Sequence, residues 1–205
     1  MRRWSSGRDG RYKIKLLTDV GVALKLAAGG AHATTIRGAW RGSGSAPKVG
    51  PSGGAAPAAK RGGNAGGCHL EATWSNNPQY LLTVSSSSGG NSIRTRSMKI
   101  ALRRPAEAWA VPMQRNAVDT MAGFYLIRAP DVLTKKLPLR SKAGLDIVHE
   151  SCFSPTLEVG CTVELIPDDE AMSFVLVPST YGPGQMGPFS IELVCDSPIQ
   201  WTALA

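Results

Sequence analysis

The chain has 205 residues, 42% of them apolar, enough for one sizeable folded domain and too apolar for a wholly disordered chain. No apolar run approaches the ~20 residues of a helical membrane span. The net charge of +8 suggests a nucleic-acid or membrane binder only until it is located: residues 1–67 hold 12 of the 23 basic residues with only Asp9 and Asp19, a balance of +10, and residues 68–205 balance at −2.

Residues 1–32 read as a basic arm, either poorly ordered or the remnant of an upstream domain. Within it, Leu16, Leu17, Val20, Leu24 and Ala27 share a helical face behind Arg2, Arg3, Arg8 and Arg11, a pattern compatible with a transit peptide. ATTIRGAW (33–40) reads as a short strand. Residues 42–64 form a low-complexity Gly/Ala/Pro/Ser insert that cannot bury enough apolar surface to offset its ordering entropy, so a flexible loop is expected.

From there the chain turns β-like. QYLLTVSS (79–86), SMKIALR (97–103), GFYLIRA (123–129), GLDIVHE (144–150), GCTVELI (160–166), MSFVLV (172–177), PFSIELV (188–194) and IQWTAL (199–204) are strand candidates. The spacing predicts an all-β fold, an antiparallel β-sandwich of about eight strands over residues 33–204. Alternation puts Val163 with Leu165, and Ile191 with Leu193, on a core face, and makes Phe124, Phe174 and Phe189 core aromatics. The Gly/Pro-rich stretch 178–187 predicts a hairpin between the two strands around it, with Pro178 ending the first because it cannot donate to a ladder.

Two clusters are candidate sites. Lys135, Lys136, Arg140 and Lys142 in VLTKKLPLRSK are basic residues interleaved with apolar ones, the pattern of a loop that meets an acidic membrane surface. Asp168, Asp169 and Glu170, expected in a hairpin turn, are candidate ligands for a weak calcium site. Cys68, Cys152, Cys161 and Cys195 form no C-x-x-C pair, and their spacing with His149 fits no common zinc module. With no signal-peptide pattern, the expected location is intracellular, in the cytoplasm.

Three stretches stand out together: AGGC (65–68) followed by TWSNNPQYLLTV (73–84), with RGAW (37–40) before it; MAGFYLIRA (121–129); and FVLVPSTYGPG with GPFSIELV. In this order they resemble the opening segment, an internal strand and the closing segment of the third, non-catalytic domain of calpain-type cysteine proteases, RGAW being like the family's Gly-x-Trp. The resemblance implies a β-sandwich that braces a protease core, relays calcium-induced changes and contacts phospholipid or partner proteins.

The family's acidic loop is replaced by SSSSGGNSIRTR (85–96), which has no carboxylate, so any calcium binding is expected to be weak. The protease's Cys, His and Asn segments are absent, and Cys68-His69 is not a substitute because neighbouring side chains on an extended stretch face opposite ways. The expected function is a regulatory and interaction module of, or derived from, a calcium-dependent cysteine endopeptidase, as a fragment or alone. Its expected partners are a calpain-like protease core or other protein domains. The alternative is a stand-alone phospholipid-binding sandwich. Nucleic acid is not an expected partner, since the basic arm has few aromatic stacking positions.

Overall fold

The structure, a computed structural model, describes residues 31–42, 63–85, 95–109, 121–130, 133–165 and 171–205. Nearly all of the basic arm and of the 42–64 insert lies outside the described residues, as do most of the 85–96 loop and all of Asp168, Asp169 and Glu170.

Nine strands form two antiparallel sheets. They are β1 (His32–Trp40), β2 (Tyr80–Ser85), β3 (Arg96–Arg103), β4 (Ala122–Arg128), β5 (Ile147–Glu150), β6 (Glu158–Leu165), β7 (Ala171–Thr180), β8 (Gly187–Cys195) and β9 (Ile199–Ala203). The four-stranded sheet has the order β1-β8-β3-β6 and the five-stranded sheet the order β5-β4-β7-β2-β9. Helix is limited, among the described residues, to one turn at Ala106–Trp109 and a 3-10 turn at Trp74–Asn76. The fold is the expected β-sandwich, and ATTIRGAW supplies its ninth strand.

The core lies between the sheets, as alternation requires. Leu82 and Val84 on β2, Phe124 and Leu126 on β4, and Phe174 and Leu176 on β7 face Ile36, Ile100, Ile191 and Leu193 of the other sheet, all 0% exposed. Phe189 joins them, packing on Trp40 with ring centroids 4.4 Å apart. Cys195 is buried in this core, and Cys161 packs against it with its thiol pushed up to about 11 by burial.

Three local expectations are corrected. The strands flanking Gly182–Gly184 are not a hairpin: β7 belongs to the five-stranded sheet and β8 to the four-stranded one, so residues 181–186 cross between layers. β6 and β7 likewise belong to different sheets and do not pair as a hairpin. Of the consecutive strands only β4 and β5 are neighbours in a sheet. The physical reason is that both runs are apolar enough to seat in either layer, and sequence adjacency does not choose the layer. Pro178 does not end β7, which continues to Thr180. It stands past the end of β2, whose pairing with β7 stops at Tyr80↔Leu176, so its missing N–H deprives no partner.

A second apolar cluster covers the outer face of the five-stranded sheet. Tyr125, Ile127, Val175 and Val177 point away from the core, and Trp74, Leu137, Leu139 and Leu145 close over them. Residues 133–146 are therefore a strap across the sheet. Gln79 pins it with two hydrogen bonds: its Nε2 donates to the Leu137 carbonyl (3.0 Å) and its Oε1 accepts from the Leu137 N–H (2.8 Å).

Candidate interaction end of the sandwich

The segments that carry the motifs, far apart in sequence, meet at one end of the sandwich. Asn77, fully buried, is the hub. Its Oδ1 accepts from Gly66 N–H at 3.0 Å, and its Nδ2 donates to the carbonyls of Gly67 (2.7 Å) and Trp74 (3.0 Å). Thr73 Oγ1 donates to the Gly66 carbonyl. The two glycines are required by this packing: a Cβ on Gly66 would stand 2.1 Å from the Thr73 carbonyl oxygen, and Gly67 has φ +79°. The Cys68 and Gly184 N–H groups donate to the carbonyls of Tyr181 and Ala65, which ties the 65–68 segment to the 181–186 crossing. Trp40 Nε1 donates to the Pro178 carbonyl.

The insert leaves and re-enters at a clasp. Asn64 and Ala65 donate their N–H groups to the Arg41 carbonyl, Asn64 Oδ1 accepts from Arg41 N–H, and Asn64 Nδ2 donates to the Ala39 carbonyl. Residues 41 and 64 thus meet as if nothing stood between them, which is why the insertion leaves the sandwich intact. At the same end three large apolar side chains are exposed: Leu70 (70%), Met186 (64%) and Tyr181 (37%). Fixed backbone beneath exposed apolar side chains suits a protein contact.

Beside this end, four segments converge on a polar network. His69 Nδ1 lies 3.0 Å from Tyr125 Oη and 3.7 Å from a Glu150 carboxylate oxygen, while Lys142 of the strap pairs with the other Glu150 oxygen. Burial is the main cause that pushes the Tyr125 phenol above its ordinary range, so it stays protonated; its oxygen accepts the His69 backbone N–H at 3.2 Å and shares a hydrogen bond with His69 Nδ1. Burial first, and then Lys142, hold His69 below the usual imidazole value against the opposing pull of Glu150. Cys68 is buried and its thiol belongs to the packing, while His69 spends Nδ1 on Tyr125.

The four basic residues do not form one patch of free cations. Lys135 and Arg140 are exposed. Lys136 is half-buried, its N–H donates to the Ala205 carbonyl, and burial lowers its pKa. Lys142 is paired with Glu150. The leucines interleaved with them pack against the outer face of the five-stranded sheet. Asp168, Asp169 and Glu170 lie outside the described residues, and among the described residues no three His, Cys, Asp or Glu side chains come together as a metal site. Sequence reasoning missed the Asn77 hub, the Gln79 pin and the His69–Tyr125–Glu150–Lys142 network, which join residues from different segments.

A family model described as calpain large subunit, domain III, matches residues 57–194. A curated relative, serine/threonine-protein kinase 4 homolog B of Dictyostelium discoideum, is 30% identical over 139 residues, covering 65% of this chain and 11% of the relative. The chain thus spans about a tenth of the length of that protein.

Proposed function

The chain belongs to the calpain large subunit domain III family, and we propose that it acts as a non-catalytic regulatory and interaction module that docks on a protein partner through the Leu70–Tyr181–Met186 end. The observation that carries this reading is the geometry of that end: the motif residues close and stiffen it, and three apolar side chains stand exposed on the result. The partner is a calpain-like protease core or another domain of the protein that bears the module. The match to a small part of a protein named as a kinase supports a module that is appended to different catalytic domains.

The test is isothermal titration of the chain into an isolated calpain-type protease core. Saturable binding is expected, weakened at least tenfold in the double variant Leu70→Asp, Met186→Asp. Titrations that show no heat of binding, or equal affinity for the double variant, reject the reading.

A second reading, contact with acidic phospholipid, is favoured by the exposure of Lys135 and Arg140 on the strap. Two cations near an anionic surface contribute roughly 2 kcal/mol. That supports weak, salt-sensitive attachment, useful beside a second contact and insufficient alone.

A further inference from the structure

Sheet edges are where a sandwich either defends itself or recruits a partner, because their backbone donors and acceptors are unused. Here the edges are β1 and β6 in one sheet and β5 and β9 in the other. β5 has four residues and β9 five. β6 carries Glu158 and Glu164 on its outer face, which would oppose each other in an antiparallel self-pairing centred on Cys161. β1 is the longest edge, nine residues, with no proline and no lysine, and with Arg37 as its one Arg, Asp or Glu.

Two observations fix which groups of β1 face off the sheet. Ala39 pairs with Pro188, which has no N–H, so this is a non-hydrogen-bonded pair and the Ala39 backbone faces away from β8. Independently, the Asn64 side-chain amide, standing where a neighbouring strand's peptide would stand, donates to the Ala39 carbonyl and accepts from Arg41 N–H. By strand periodicity Ala33, Thr35 and Arg37 present their N–H and C=O groups to the same side. Among the described residues nothing pairs with them.

Next to this edge runs β9, on which Trp201 pairs with Leu82 and therefore has the core-facing register, yet it is 37% exposed. A core-facing tryptophan open to solvent beside an unpaired edge is what a missing neighbouring strand leaves behind.

We propose that the free edge of β1 pairs with β1 of a second copy of this chain, antiparallel about a two-fold axis at Thr35, joining two four-stranded sheets into one of eight. The sequence HATTIRGAW is self-complementary in this register. Thr35 faces Thr35 of the other copy, and Arg37 faces Ala33, so no like charges meet. Each of the pairs 33–37, 35–35 and 37–33 exchanges two hydrogen bonds, and the Asn64 amide terminates the ladder at Ala39. The contact is isologous and closes on itself, so it stops at a dimer.

Sedimentation equilibrium of the full chain tests this. The mass should rise with concentration from 21.6 kDa toward twice that value. Thr35→Pro removes an N–H that the monomer's own sheet does not use; it should leave the circular dichroism spectrum unchanged and weaken dimerisation at least tenfold. Thr35→Cys should cross-link copy to copy through position 35, since Cα atoms of a hydrogen-bonded pair lie about 5.5 Å apart, within disulfide reach. Ala33→Cys, whose symmetry mate is far out of register, should not. A monomer up to about 1 mM, a dimer indifferent to Thr35→Pro, or an Ala33→Cys variant that cross-links as efficiently as Thr35→Cys would each overturn the proposal, the first also being the result if β1 serves a strand from a different protein.

Discussion

Asn77→Ala tests whether the motif end is held by one side chain. Asn77 is fully buried, and its removal leaves Gly66 N–H and the Gly67 carbonyl without a partner; the Trp74 carbonyl keeps the Asn77 backbone N–H at 3.2 Å. Each buried orphan costs about 1–3 kcal/mol, so the loss should be about 3 kcal/mol, with any added cost of the small cavity on top. Against a typical total of about 5–15 kcal/mol this is a large fraction. In urea titrations of the full chain, with a slope near 2 kcal/mol per M, the midpoint should fall by about 1.5 M at unchanged slope. Asn77→Asp sharpens the test. It keeps the acceptor for Gly66 but sets a carboxylate against the Gly67 and Trp74 carbonyls, so it should be at least as damaging as alanine. An alanine variant that loses less than about 1 kcal/mol, or a tolerated aspartate, would refute the hub.

Gln79→Ala should release the strap: amide exchange at Leu137 should accelerate at least tenfold, with a stability loss of about 1–2 kcal/mol; exchange as slow as in the wild type would mean that the leucines alone hold it. His69 has a folded-state pKa below its unfolded value of 6.5, so the folded state binds fewer protons, and the stability present above pH 6.5 should drain away as the pH falls through the lowered value. Thermal melts between pH 7.5 and pH 5 should show this slope, and His69→Gln should flatten it; an unchanged slope would place its origin elsewhere. In co-sedimentation with phosphatidylserine vesicles, changing Lys135 and Arg140 to Gln should measurably weaken binding of the chain at low salt, whereas Lys142→Gln should leave binding intact and lower the melting temperature, because Lys142 is engaged with Glu150. Equal loss from Lys142→Gln would show that the pair opens at a membrane.

Period-two alternation is a local property, so it was readable. In β6 and β8, Val163 with Leu165 and Ile191 with Leu193 alternate against Glu164 and Glu192, and the structure buries the first set and exposes the outer face. The same pattern placed all nine strands to within a few residues. One signal was present and not used: β4 is buried at every position from Ala122 to Ile127, and β7 is apolar on both faces through Phe174–Val177, the mark of a sheet covered on both sides. Its cover is the strap, so the leucines among Lys135, Lys136, Arg140 and Lys142 are half of a second apolar cluster.

What the sequence by itself determined is the class of fold, the inner face of each strand, and the family, since these depend on residue order within short runs. Only the tertiary structure decided which layer each strand joins, and so made a layer crossing of the 181–186 turn. It alone brought Asn77 under Gly66 and Gly67, closed residues 41 and 64 across the insert, and matched Lys142 to Glu150 beside His69 and Tyr125. The reason is physical: a strand's pleat fixes which side chains share a face, but its partner is chosen by long-range packing between segments that are far apart in the chain.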